Sequence, residues 1–134
     1  MIGSVLFDLD GVLIDACEWH YISLNKALKD VVGIEISRQE HLTTYNGLPT
    51  RVKLKMLEVY GQEAENVWRL KQNLTTETIK KNSKVLEEKI KLHTFLKENE
   101  VKVCCLTNSI CETAHLMLKC TGQLEFMDLV ITNE

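Results

Sequence analysis

The sequence predicts an α/β fold built on a short parallel sheet, and three observations carry that expectation. Two apolar runs, Ser4 to Phe7 and Val101 to Leu106, are strand-length and end on polar residues, Asp8 and Thr107. A third, shorter run spans Leu129 to Ile131. The segments between the runs repeat apolar residues at helical spacing, and strands that alternate with helices make a parallel sheet.

The elements follow in order. After the first strand, Cys17, Tyr21, Leu24, Leu28 and Val31 line one helical face, and Gly33 closes that helix in the position where a left-handed residue is favoured. Val52, Met56, Val59 and Tyr60 repeat the pattern before Gly61, with Thr50 a natural N-cap. Ala64, Val67, Trp68 and Leu74 mark a third helix that runs toward Ile79. Leu86, Ile90 and Leu96 mark a helix that returns to the second strand. Ser109 with Glu112 three residues on has capping-box spacing for a helix that Gly122 ends. Such Met and aromatic stripes are read as core.

Composition narrows the function classes. At 134 residues, 45% hydrophobic and 26% charged, the chain has the size and balance of one globular domain. A formal charge of -3 supplies no basic field for a nucleic acid. No apolar run has the length of a membrane span and no signal-peptide flank is present, so the expected compartment is cytoplasmic. The five cysteines form no CxxC pair, and Cys104 and Cys105 lie inside a strand, which reads as reduced structural thiols and not as a zinc or disulfide framework.

The chemistry concentrates between Val5 and Asp15, V-L-F-D-L-D-G-V-L-I-D. Two aspartates two residues apart at a strand end project toward one crevice, where open parallel sheets bind ligands, and Gly11 lets the chain turn away. This segment resembles the first motif of the haloacid dehalogenase superfamily, in particular the phosphatase and β-phosphoglucomutase-like branch that carries a helical cap. The resemblance implies a partial Rossmann-like sheet from residues 1–15 and 89–134, with an inserted helical cap over residues 16–88. It also implies that Asp8 attacks phosphorus and that Asp10 protonates the leaving oxygen, then activates water. Magnesium, held by Asp8 and by Asp10 through its backbone carbonyl, is the implied cofactor.

Val103 to Ser109, V-C-C-L-T-N-S, resembles the family's second motif, a hydrophobic strand ending in Thr or Ser. Thr107, with the amide of Asn108 and the start of the next helix, is then the expected phosphate ligand. In the cap region His20 stands where β-phosphoglucomutase-like members also carry His; a role near the phosphoryl site and a helix-surface role both stay open. Asn46 to Arg51 resembles the cap loop over substrate. Arg51 or Lys53 is a candidate contact for a second anionic group, alongside the plainer reading of solvated helix charges.

Family members continue to a lysine that steadies the aspartyl-phosphate and to an acidic motif that completes the magnesium site, whereas this sequence stops at Glu134. The expectation is a C-terminally truncated relative whose open sheet edge favours self-association. The expected function is a magnesium-dependent phosphatase of small phosphomonoesters. Two alternatives stand beside it: an inactive fragment or phosphate-binding module, and a sugar phosphomutase.

Overall fold

In a computed structural model that describes residues 1–134, the three apolar runs pair as one parallel sheet. Strands β1 (Ser4–Asp8), β2 (Lys102–Leu106) and β3 (Leu129–Ile131) lie in the order β1-β2-β3. The register sets Asp8 beside Leu106, and Leu106 beside Ile131, so all three strands end at one level. The helices are α1 (Cys17–Val32), α2 (Arg38–Glu40), α3 (Thr50–Met56), α4 (Gly61–Asn82), α5 (Glu87–Glu98) and α6 (Cys111–Cys120). They belong to two units, residues 1–15 with 79–134 and residues 16–78. The division falls inside α4, ten residues ahead of the 88/89 boundary expected.

In the first unit the sheet is covered on one face only. Val103 and Cys105 are fully buried, and Phe7 packs edge-on against His93 of α5. Leu6, Leu106, Leu129 and Ile131 point the other way and are 41 to 56% exposed. Strand residues alternate between faces, so a continuous apolar run reads as buried on both when one face is open. Asp128 fastens β3 to its neighbours: its carboxylate accepts from the Val103 amide at 2.8 Å and from Lys97 of α5, and its own amide donates to the Val103 carbonyl. The Lys97 ammonium holds the Asp128 carboxyl below the usual range, and the Val103 amide adds to that.

The second unit closes on Leu24, Ala27, Leu28, Ile36, Leu54, Val59 and Val67. Gly33 ends α1 at φ 72°, its amide donating to the Lys29 carbonyl, as its position predicts. A full capping box, Ser37 with Glu40, starts α2 and leads into a π-helical turn over His41–Tyr45. The α3 reading needs correction. Pro49 occupies the N-cap position and Thr50 caps nothing; the helix stops after Met56, and Glu58 adopts φ 57°. Val52, Met56 and Tyr60 therefore face solvent, while Leu54 and Val59 supply the core. No helix is long and apolar enough to cross a membrane.

Candidate active site

The site grows from the end of β1. Asp8, the last strand residue, is exposed, and the Leu9 amide donates to its Oδ1 at 2.8 Å. Its Oδ2 has no protein partner and is the oxygen open to a ligand. The chain then wraps around Leu9, whose carbonyl accepts from the amides of Val12, Leu13 and Ile14 at 3.3, 2.9 and 3.1 Å. Gly11 makes the wrap possible at φ 79°, a left-handed conformation that costs an L-residue about 1 kcal/mol or more. Its amide donates to the Ile14 carbonyl at 2.8 Å and closes the turn that presents Asp10.

The second half of the site comes from the end of β2. Thr107 is buried, with its amide donating to the Ile131 carbonyl at 2.9 Å. Its Oγ1 accepts the Ser109 amide at 3.0 Å, which folds the 107–109 loop back on itself. Ser109 Oγ donates to Asp10 Oδ2 at 3.3 Å and so links the two loops. Ser109 does not cap α6, as its spacing to Glu112 had predicted: Ile110 is the N-cap, without a side-chain bond, and the hydroxyl is turned to Asp10 instead. Glu134 takes up the Cys111 amide at the helix start, at 3.1 Å. Asn108 lies exposed between Thr107 and Ser109.

Electrostatically the end of β1 is acidic. Burial pushes the Cys105 thiol up to about 11, with the negative charges of Asp8 and Asp10 adding to it. The carboxylates of Asp8 and Asp10 offer hard oxygen donors of the kind magnesium takes, and that ion commonly uses one or two carboxylates and keeps several waters. No group of three or more His, Cys, Asp or Glu side chains forms a ready-made cage. The donors present fit magnesium as an open site.

The other expected residues lie in the second unit. His20 sits on α1 with Nδ1 3.4 Å from the Lys71 ammonium, so that nitrogen is the acceptor of the pair. Arg51 is exposed, pairs with Glu65 at 3.1 Å and lies 4.7 Å from the centre of the Trp68 ring. Lys53 is buried on α3, as Lys71 is on α4. His41 is buried as well, with neither ring nitrogen hydrogen-bonded. Burial first, then Lys53 and His20, pushes its pKa down to about 4. Sequence reasoning singled out neither His41 nor Lys71.

Comparison with known proteins agrees with the fold. The family described as haloacid dehalogenase-like hydrolase matches residues 5–134. Among solved structures, a predicted phosphoglycolate phosphatase from Haemophilus somnus superposes with TM-score 0.81 at 19% identity, over 99% of this chain and 63% of its own. The β-phosphoglucomutase of Clostridium difficile gives 0.81 at 22% identity, over 99% and 62%. CbbY from Rhodobacter sphaeroides, in complex with phosphate, gives 0.82 at 16% identity, over 98% and 64%. At these identities the likeness is one of fold, and the chain spans less than two thirds of the length of each. No curated protein matches the chain.

Proposed function

The chain belongs to the haloacid dehalogenase-like hydrolase family, and from that premise we propose that it carries the nucleophile of a magnesium-dependent phosphatase acting on small phosphomonoesters through an aspartyl-phosphate. The observation that carries the proposal is Asp8: an exposed carboxylate at the end of a parallel strand, one oxygen pinned by the next amide and the other free. In the proposed reaction Asp8 Oδ2 attacks phosphorus, an O–P bond forms, and the ester O–P bond breaks. The leaving alkoxide takes a proton from Asp10. Water then attacks the aspartyl-phosphate, gives its proton to Asp10, and releases phosphate with Asp8 restored.

Ser109 supports the second role, because its hydroxyl holds the Asp10 carboxylate in one place. Thr107 and the amide of Asn108 are the proposed seat for a phosphoryl oxygen. Asp8 and Asp10 are the residues that would hold magnesium, which when bound supplies charge neutralisation between carboxylates and phosphate. His20, Arg51 and Lys53 remain candidates for contacts to the rest of a substrate; of these Arg51 is already committed to Glu65 and Trp68. The proposed partners are small phosphorylated metabolites, neither nucleic acid nor membrane, and the open apolar sheet face favours self-association.

The test is phosphate release, with magnesium, from a panel that includes phosphoglycolate, hexose 1-phosphates and nucleoside monophosphates, in wild type and Asp8→Asn. Turnover that the substitution abolishes supports the nucleophile. Equal rates in both reject it. Transfer to a sugar hydroxyl in place of water identifies a phosphomutase, and phosphate binding without turnover identifies a binding module.

A further inference from the structure

Beneath the acidic turn lies a buried polar network that the reaction as proposed does not use. Gln123 and His93 are both completely buried, in a unit whose other buried side chains are mainly apolar. Gln123 Nε2 lies 3.0 Å from the Leu13 carbonyl and 2.9 Å from Thr121 Oγ1. A primary amide has two hydrogens, and these two acceptors take both. Thr121 Oγ1 is free to accept because its own hydrogen goes to the Met117 carbonyl at 2.8 Å. Gln123 Oε1 is then left as a pure acceptor, and its partner is His93 Nε2 at 2.9 Å.

That sequence of donors fixes where the hydrogens of the network lie. His93 must carry hydrogen on Nε2, and the amide of Gln123 cannot be flipped, since a flip would set Oε1 against the Leu13 carbonyl. The ring is held from both sides, 5.8 Å from Phe7 and 5.8 Å from Phe126 between centroids. The direction of every bond in the network is therefore set, and its free end is aimed at one backbone carbonyl.

Leu13 belongs to the turn that begins at Leu9 and carries Asp10. Its amide already donates to the Leu9 carbonyl, and Asp10 bridges to Ile14 beside it. Ser109 holds the Asp10 side chain, and Gln123 holds the backbone of the same turn. A glutamine buried for packing alone would be matched by an apolar residue of similar size, without the penalty of desolvating an amide.

We propose that Gln123, oriented by His93, is a positioning residue that clamps the Leu13 carbonyl and so fixes the turn presenting Asp10. The effect on turnover rests on the phosphatase reading; the effect on the turn does not. Gln123→Met keeps the volume and loses both donors and the acceptor. Its turnover number is expected to fall between about tenfold and about a hundredfold with KM within about twofold, the cost of a small misplacement of a reacting group. Gln123→Glu provides the rescue: ionised, its oxygens repel the Leu13 carbonyl, and protonated, its hydroxyl donates to it. Its activity relative to wild type should therefore rise as pH falls, which Gln123→Met does not do.

Amide exchange gives an arm independent of activity. In Gln123→Met the amides of Gly11, Leu13 and Ile14 should exchange at least about tenfold faster than in wild type, while those of β2 and α6 keep their rates. Loop protection unchanged in a folded Gln123→Met overturns the proposal whether or not the protein turns over substrate. So does a fall in melting temperature with turnover number intact. Absence of turnover in wild type, with the loop amides of the variant deprotected, sinks the phosphatase reading and leaves the clamp standing.

Discussion

Replacing His41 with Phe should stabilise the protein, and by more at low pH than at neutral pH. The ring is 1% exposed and neither nitrogen has a hydrogen-bond partner, so at pH 7 wild type bears the cost of an unsatisfied buried polar group, about 1–3 kcal/mol. A phenyl ring fills nearly the same space and keeps the contact with Tyr21, whose ring centre is 5.4 Å away. The pH dependence adds to this. Unfolded His41 titrates near 6.5, and in the folded chain its pKa is pushed down to about 4. Between those values the unfolded state binds more protons, so stability is full above pH 6.5 and is lost as pH falls toward 4. With 1.36 kcal/mol for each pH unit, the loss reaches about 2 kcal/mol at pH 5 and about 3 kcal/mol at pH 4. Urea unfolding of wild type and His41→Phe at pH 7, 6, 5 and 4 isolates the group as the difference between the two proteins. A difference that stays flat over that range, or a variant less stable than wild type at pH 7, refutes the reasoning.

Three further outcomes follow from single contacts. Ser109→Ala removes the hydroxyl that holds Asp10 Oδ2 and should lower the turnover number by about tenfold, the value of one net hydrogen bond, with substrate KM little changed; steady-state kinetics reads it. Gly11→Ala meets open space but a φ of 79°, so strain alone should lower stability by about 1–2 kcal/mol in urea unfolding, and a neutral result would mean the turn is not held as described. At pH 8 iodoacetamide should label the exposed Cys111 and leave Cys105, whose buried thiol is pushed up to about 11, unlabelled until the chain is unfolded; mass spectrometry separates the two sites.

The residues legible in the sequence are those whose role is set locally. Asp8, Asp10, Gly11 and Thr107 are marked by apolar runs that end abruptly, and parallel strands put such ends together without further information. Ser109 was misread for a physical reason: a hydroxyl three residues ahead of a glutamate fits a capping box equally well, and only the fold shows that Asp10 lies within its reach. The Val52, Met56 and Tyr60 stripe failed because a helix of seven residues, ended by a left-handed Glu58, does not present a continuous face.

Other features left a trace that a stricter reading of periodicity would have caught. Along α4 the positions Val67, Lys71, Thr75 and Ile79 recur every four residues, and all four are buried. A lysine at the second of them breaks the apolar stripe, and a buried cation needs a compensating environment, so Lys71 stands out once the spacing is counted. Gln123 left no such trace. Its donors reach a carbonyl 110 residues away in the chain, and no local pattern separates it from an ordinary polar residue after a helix. In this chain the residues at strand ends can be read along the sequence, whereas what holds those ends still is assembled between distant segments. The two aspartates are therefore easier to find than the groups on which their placement depends, and substitutions in the second set are the sharper test of the proposed site.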